Sequence, residues 1–290
     1  MEIIDSHTHV ISADTDRYPP APLGGHQSDW SKARPVDHDG LVAAMDQAGI
    51  AQAVVVQAST VYGHDARYVI EAVRAHPTRF AGVFSIDPLA DDAVDQMKRW
   101  IGEGLVGVRL FTTGSTMPGQ AHWLADEASY PAWEYAEANQ IPVCLQMTIA
   151  GIPMLRALLE RFPKVRVLLD HLARPDLSDG PPYAKAQPLF DLVDFKGVHL
   201  KLTNRTIAAA GEGGSTAATF ITHVVKAFGT ERILWGSNFP AAEGRLSDLL
   251  SQAKAAVAVL PQREQAMIFA GSARALYPSL NPNPTVARHG

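Results

Sequence analysis

Two histidines near the amino terminus are the first residues whose types and spacing could do chemistry. His7 and His9 lie two positions apart in an apolar segment that predicts a β-strand. Because residues two apart in a strand point the same way, both imidazoles project to one face. Two converging imidazoles can ligate a divalent metal, or can polarise a carbonyl where no metal is present. Isolated histidine pairs also occur in protein cores, so the element that carries this pair decides its meaning.

Two further segments place polar groups where predicted strands end. Asp170 and His171 close the sixth predicted strand, and residues 236–240, which include Asn238, close the eighth. An imidazole with an ordinary pKa of about 6.5 can exchange protons near neutral pH, so His171 is a candidate general base or acid. Asn238 has no basic carboxylate, but its amide can orient water or donate to a developing oxyanion. Either segment alone could serve only the fold.

The elements that must position these residues are eight short apolar segments rich in β-branched side chains. Their near-continuous hydrophobicity is typical of parallel strands covered by helices. The predicted strands are 3–10, 51–57, 80–87, 106–111, 142–147, 165–171, 198–203 and 233–238. The predicted helices are 37–47, 64–75, 91–103, 131–139, 152–161, 188–194, 217–228, 245–259 and 263–276.

This alternation predicts an α/β fold, a closed (β/α)₈ TIM barrel in a single domain. Eight strands alternating with helices over about 250 residues is the number and length that such a barrel requires. The domain is expected to span 1–277, followed by a flexible tail over 278–290. The competing architecture is a doubly wound open sheet. It usually carries a glycine-rich turn after its first strand, a feature missing here.

Three connections of the predicted barrel are long, and all follow the carboxyl ends of strands, where barrel enzymes build their sites. They span 11–36, 112–130 and 172–187. Each could simply cap the barrel. They also carry side chains suited to holding a ligand, namely His26, Trp30, His122, Trp123, Arg174 and Tyr183.

Composition excludes several classes of function. The chain has 290 residues and a formal net charge of −5. That charge gives no general attraction to nucleic acid or to anionic membranes. We see no signal peptide and no apolar stretch near the ~20 residues that span a bilayer. The single cysteine, Cys144, excludes an internal disulfide and is expected to pack in the barrel interior. We therefore expect a cytoplasmic protein, and a homo-oligomer is compatible with the sequence.

The motifs together resemble the amidohydrolase superfamily. The nearer likeness is to its amidohydrolase-2 branch, which includes 2-pyrone-4,6-dicarboxylate lactonases and sugar lactonases. The similarity extends from residue 1 to about residue 276. The motifs that carry it are His7-Thr8-His9, Val56-Gln57, Tyr62-Gly63-His64-Asp65, Gly107-Val108-Arg109-Leu110, Asp170-His171 and Gly236-Ser237-Asn238-Phe239-Pro240.

The chain departs from the family pattern at two positions. Metal-dependent relatives place a histidine on strand five, where this chain has Gln146, and an aspartate at the end of strand eight, where it has Asn238. A neutral amide is a poor ligand for zinc. The resemblance therefore implies an enzyme without a metal cofactor. The alternative is one divalent metal, zinc or manganese, held by His7, His9 and His171.

The same resemblance implies a small-molecule substrate that carries a carboxylate or another anionic group. Arg109, Arg174, Lys201 and Arg205 follow or end predicted strands and could form a cationic rim. Two glutamines are further candidates for substrate contacts, Gln57 at the end of strand two and Gln146 on strand five.

The leading functional hypothesis is hydrolysis of a small anionic lactone. His7, His9 and Arg109 would polarise and bind the carbonyl or carboxylate. His171 would act as base or acid, and Asn238 would position water. Two alternatives stay open. One is a metal-dependent decarboxylase of an aromatic or muconate-like acid, and the other is a degenerate barrel that only binds anions.

Overall fold

Eight parallel strands form a single sheet that curls into a barrel, as the alternation of segments predicts. The computed structural model describes residues 1–112 and 123–281. Its strands pair in sequence order. They are β1 (Ile4–Thr8), β2 (Gln52–Val56), β3 (Phe80–Ser85), β4 (Gly107–Phe111), β5 (Val143–Gln146), β6 (Val167–Asp170), β7 (Val198–Thr203) and β8 (Ile233–Gly236). The backbone N–H of Asn238 donates to the carbonyl of His7 at 2.8 Å, and this bond brings the end of β8 against β1.

The helices lie between the strands and cover the barrel. The described helices are α1 (Asp29–Ala33), α2 (His38–Ala48), α3 (Ser59–Tyr62), α4 (Arg67–Ala75), α5 (Ala93–Gly102), α6 (Tyr130–Ala138), α7 (Ile152–Arg161), α8 (Gln187–Phe190), α9 (Asn204–Ala209), α10 (Ala217–Phe228), α11 (Leu246–Val257), α12 (Gln262–Ala266) and α13 (Ser272–Leu276). The predicted helix 263–276 is divided, because a π-helical turn over Met267–Gly271 separates α12 from α13. No described helix combines the length and apolarity needed to cross a bilayer.

Helix ends explain several boundaries. The side chain of Asp37 accepts a hydrogen bond from the Gly40 N–H and so begins α2. Gly49 ends that helix at φ 71°, a conformation that costs glycine little. The predicted helix 91–103 begins at Ala93 as α5. Asp92 is its N-cap residue, and the side chain of Asp92 makes no capping bond.

The barrel is packed on both sides of its sheet. One apolar cluster fills the space between strands and helices, whereas a smaller one fills the barrel interior. The interior cluster includes Ile4, Val54, Val83, Cys144, Leu168, Leu234 and Tyr277. Cys144 Sγ lies 3.2 Å from the Tyr277 hydroxyl, so the cysteine is a packing residue, as expected. This closed floor leaves the opposite end of the barrel for a site.

The loops after β1 and β8 frame that end. Arg34, which follows α1, donates to the carbonyls of Pro240 and Ala241 at 3.1 Å, and it thereby holds the loop after β1 beside the loop after β8. Residues 113–122, which include His122, lie outside the described part of the chain. The proposed flexible tail begins with a short 3₁₀ helix, Pro278–Leu280, in which Leu280 is buried. Residues 282–290 also lie outside the described part.

Candidate active site

Three buried histidines meet inside the mouth of the barrel. The rings of His7 and His9 have centroids 4.9 Å apart in an edge-on arrangement, and those of His7 and His171 are 5.4 Å apart. His7 and His9 lie on or next to β1, whereas His171 directly follows β6 with φ 55°. Because the barrel brings the carboxyl ends of all strands to one end, histidines from distant parts of the chain come together there.

A local adjustment of β1 positions its histidines. The pairing of β1 with β2 shifts register between Asp5 and Thr8. The Asp5 carboxylate accepts hydrogen bonds from the backbone N–H groups of His7 and Ser237, and thus joins β1 to the end of β8. Burial raises the pKa of Asp5 to about 6, against the opposing effect of these bonds. Gly236 leaves room for the His7 side chain, because a Cβ at this glycine would lie 2.6 Å from His7 Cβ.

Each histidine has a different hydrogen-bonding state. His9 Nδ1 lies 2.7 Å from the carbonyl of Val56. Since a carbonyl only accepts, Nδ1 carries the proton and the lone pair of Nε2 is left to face the cavity. His171 Nδ1 lies 2.8 Å from the Thr203 hydroxyl, which can donate or accept. Both ring nitrogens of His7 are buried without a hydrogen bond.

A buried charge cluster lies beneath the histidines. Asp170 Oδ2 accepts from Arg109 Nε at 2.8 Å, and its Oδ1 lies 2.8 Å from Lys201 Nζ. His7 Nδ1 is 3.6 Å from the same carboxylate. Burial alone would raise the pKa of Asp170, but the two cations hold that pKa well below its usual range. Asp170 is therefore held between two cations at the base of the mouth.

The same environment keeps the histidines neutral. Burial lowers the pKa of both His9 and His171 to about 3, and it lowers the pKa of His7 well below the ordinary value. The nearby cations act in the same direction on His9. The pKa of His171 is therefore lower than the ordinary imidazole value expected from the sequence.

A cavity opens above this cluster at the carboxyl ends of the strands. Its described lining consists of His9, Trp30, Ala58, Ser59, Thr60, Arg109, Phe111, Gln146, His171, Arg174, Arg205, Asn238 and Ala241. Three of these side chains are arginines, and no carboxylate is among the described lining residues. Trp30 lies against His9, with ring centroids 5.4 Å apart, and covers one side. The cavity therefore suits a small anionic molecule.

Besides His9, Trp30 and Arg205, five further residues named from the sequence as candidates for the site line this cavity. Arg109, Gln146 and Arg174 are there as expected for substrate contacts, with the Arg109 guanidinium donating to Gln146 Oε1 at 3.3 Å. Asn238 is also present. It follows β8 with φ 61°, and its carbonyl accepts from the Ala242 N–H at 2.7 Å. His171 completes the set.

Two expected substrate contacts are placed elsewhere. Gln57 is fully buried, and its amide donates to the carbonyl of Gly63 at 2.7 Å and accepts from the Ser85 N–H. It satisfies backbone groups between β2 and β3. Lys201 is also fully buried and pairs with Asp170 below the cavity. It acts on the site through that carboxylate instead of through a ligand.

Thr203 is a site residue that the sequence analysis missed. It ends β7, two positions after Lys201, so both side chains belong to the same face of the strand. That spacing was a usable signal. Serine and threonine at strand ends are common, however, and only the contact with His171 reveals the role.

The residues present do not form a preassembled metal site. The unpaired nitrogens of His7 favour some ligand at this point. However, His38, Asp39 and His76 are the only described trio of histidine, cysteine or acidic side chains whose ligand atoms lie mutually within 4.8 Å. A divalent metal in the barrel would have to draw His7, His9 and His171 together. The two amides, Gln146 and Asn238, offer weak ligands.

Comparison with known proteins places the chain in a family context. A family model described as "Amidohydrolase" matches residues 4–279. The L-fucono-1,5-lactonase of Burkholderia ambifaria is 26% identical over 243 residues, which cover 82% of this chain and 80% of that protein.

Solved structures share the architecture. A Pseudomonas putida protein assigned as a 2-pyrone-4,6-dicarboxylic acid hydrolase aligns with a TM-score of 0.77 and 22% identity, covering 96% of this chain and 98% of its own. A dihydroxybenzoic acid decarboxylase from Polaromonas sp. JS666, with bound manganese and an inhibitor, aligns with a TM-score of 0.69 and 17% identity, covering 96% and 97%. At these identities the similarity establishes the fold.

Proposed function

This chain belongs to the amidohydrolase family and is a hydrolase, and we propose that it opens a small cyclic ester carrying at least one carboxylate. The observation that carries the proposal is the cavity in which three arginines stand beside neutral imidazoles with no acidic side chain among the described lining residues. The lactonase relative from Burkholderia ambifaria supports the same reaction class.

The arginines would bind and orient the substrate. Arginine pairs with planar oxyanions through two parallel hydrogen bonds. Arg174 lies in the loop after β6, and Arg205 lies in the first turn of α9, directly after β7. Arg109 comes from β4 and is fixed by Asp170 and Gln146. We assign the substrate carboxylate to Arg174 and Arg205. Arg109 is left to face the ester carbonyl, where negative charge develops.

His9 would accept the proton of the attacking water. Its Nδ1–H bond to Val56 leaves Nε2 as an acceptor facing the cavity, a geometry suited to a general base, and the negative charge of the bound substrate would raise the low pKa of this imidazole. Water then transfers a proton to Nε2 while its oxygen bonds to the carbonyl carbon. When the ester C–O bond breaks, the leaving alkoxide takes that proton back, and the product is a hydroxy acid. In this proposal His9, and not His171, acts as the base.

Asn238 and His171 would assist at the carbonyl. Asn238 has an amide that can donate to the oxyanion, while His171 is oriented by Thr203. Preorganised donors of this kind typically contribute about 3 kcal/mol each to transition-state stabilisation. The buried Lys201 and Arg109 add positive potential from below, with Asp170 fixing both cations.

A decarboxylase is the second candidate. The fold is shared with a manganese-containing decarboxylase, and the barrel holds an unpaired imidazole in His7. Such a reaction would release carbon dioxide from a carboxylated aromatic ring. We favour the lactonase because the neutral amides of Gln146 and Asn238 are weak metal ligands.

The test is a panel assay on purified, chelator-treated protein. Acid release would be followed on sugar 1,5-lactones and on 2-pyrone-4,6-dicarboxylate, and carbon dioxide release on dihydroxybenzoates. We expect ring opening that survives chelation and falls about 100-fold or more in His9→Gln, the range for loss of a general base. Carbon dioxide release that requires added manganese, without lactone hydrolysis, would replace the proposal with the decarboxylase.

A further inference from the structure

A second cluster of metal-ligating side chains lies outside the barrel and is no part of the mouth cavity. His38 and Asp39 begin α2, and His76 directly follows α4. One ligand atom from each lies within 4.8 Å of the other two, an arrangement that no other described trio of such residues reaches. We propose that His38, Asp39 and His76 bind one divalent transition-metal ion, with zinc as the ion whose ligand preferences they match. The proposal is independent of the reaction in the barrel.

The distances suit a metal held by two imidazoles and a carboxylate. Asp39 Oδ1 is 2.7 Å from His76 Nε2 and 3.1 Å from His38 Nδ1. Zinc bonds to nitrogen and oxygen are about 2.0–2.1 Å long, so ligand atoms around a tetrahedral zinc lie about 3.3 Å apart. Asp39 is the most exposed member, with 73% of its side chain accessible. A small movement of its carboxylate therefore opens the space that the ion needs.

The two imidazoles are already held by packing. The His38 ring lies against Tyr68, with centroids 5.8 Å apart, and the His76 ring meets Phe80 edge-on at 5.5 Å. The two imidazole centroids are themselves 5.4 Å apart. Metal binding would therefore cost little side-chain conformational entropy, because only the Asp39 side chain has to move.

Glu71 provides the outer support that metal-binding histidines commonly have. Its Oε1 lies 4.0 Å from His38 Nε2, on the far side of the ring from Asp39. After a small approach this carboxylate could accept from Nε2–H, which would leave the lone pair of Nδ1 for an ion. Glu71 is itself held by the Tyr18 hydroxyl and by Arg17.

The alternative to a metal site is a pair of histidine–aspartate hydrogen bonds on the protein surface. An ion pair, however, would need only one imidazole. Both rings are directed at the same oxygen, Oδ1, which is the arrangement that an ion bridging all three would use.

The test is a calorimetric titration of the full-length, chelator-stripped chain with zinc chloride. We expect one binding event in the wild type that is lost in the double variant His38→Gln/His76→Gln. Asp39→Asn, a nearly isosteric change at an exposed position, should weaken that event by about 10- to 100-fold or more, the scale seen even for outer-sphere partners. His26→Gln, at an exposed histidine of the loop before α1, is the matched control and should bind as the wild type does.

Thermal unfolding gives an independent readout. Zinc should raise the Tm of the wild type and of His26→Gln, because an ion bound only by the folded state stabilises it, and should leave the Tm of the double variant unchanged. Turnover should be the same in the wild type, the double variant and Asp39→Asn. Zinc binding of equal stoichiometry and affinity in the wild type and the double variant would overturn the proposal, as would a wild type that binds no zinc. An ion in the barrel would show as a further event that persists in the double variant.

Discussion

Asp170 and Lys201 form a fully buried ion pair across neighbouring strands, with Oδ1 and Nζ 2.8 Å apart. They are register partners of β6 and β7, so the pairing of the sheet itself sets their contact. Arg109 approaches the same carboxylate from β4. This cluster fixes the one cavity arginine that lies deep in the barrel, and thus links the packing of the strands to the chemistry at the mouth.

Removing the lysine should destabilise the fold. In Lys201→Met, Asp170 loses one of two buried cations, and breaking a buried pair from one side typically costs about 3–5 kcal/mol. We expect the free energy of unfolding to fall by about that amount, measured by urea denaturation. Lys196→Met, at an exposed position after α8, is the control and should change it by less than about 0.5 kcal/mol.

A double variant tests whether the lost stability of Lys201→Met comes from the unpaired charge of Asp170. Lys201→Met/Asp170→Asn removes both charges, so it should be less destabilised than the sum of its single changes. Additive losses would show that the pair contributes only packing.

Thr203 should act on turnover through the orientation of His171. Thr203→Val keeps the shape and removes the hydroxyl 2.8 Å from Nδ1. A lost hydrogen bond worth about 1 kcal/mol predicts a fall in kcat of about fivefold with KM little changed. Thr206→Val is the matched control, because that buried hydroxyl has no hydrogen-bond partner. A larger effect on KM than on kcat would argue against a positioning role.

Gly236 should be intolerant of a side chain. In Gly236→Ala the new Cβ would lie 2.6 Å from His7 Cβ and 3.0 Å from the His7 nitrogen, so backbone and imidazole must both move. Overpacking of this kind typically costs about 1–3 kcal/mol, and the shift of His7 should lower turnover as well. Gly102→Ala is the control, since a Cβ there meets nothing within 4 Å. Wild-type Tm and turnover in Gly236→Ala would contradict the close approach.

A variant of Arg174 should show whether the substrate carries a negative charge. Loss of a charge-assisted hydrogen bond, about 1.5–3 kcal/mol, predicts that Arg174→Met raises KM for a carboxylated lactone by about 10-fold or more. An uncharged lactone of the same ring should be little affected. Arg156→Met, at a half-exposed arginine of α7, should change neither value. Equal losses for charged and uncharged lactones would count against a carboxylate at this arginine.

The sequence by itself determined the barrel fold and several of the residues that lie at its mouth. Eight apolar, β-branched segments cannot be buried on both faces unless helices cover them. This requirement holds even where the predicted ends of strands and helices are wrong by a few residues. His7, His9, His171 and Asn238 were therefore assigned to one end of the barrel from their places along the strands. Boundaries were less certain. His171 and Asn238 were expected within strands, yet both follow a strand at positive φ.

Only the tertiary structure decided which polar residues serve the cavity and which serve the fold. Gln57 and Lys201 are placed like ligand contacts in the sequence, yet each is satisfied by other groups of the fold. These are the backbone of Gly63 and Ser85 for Gln57, and the Asp170 carboxylate for Lys201. Those partners depend on strand register and on loop paths, which a single chain does not encode locally. The pKa of each histidine was equally hidden, because burial and neighbouring charge are properties of the assembled barrel.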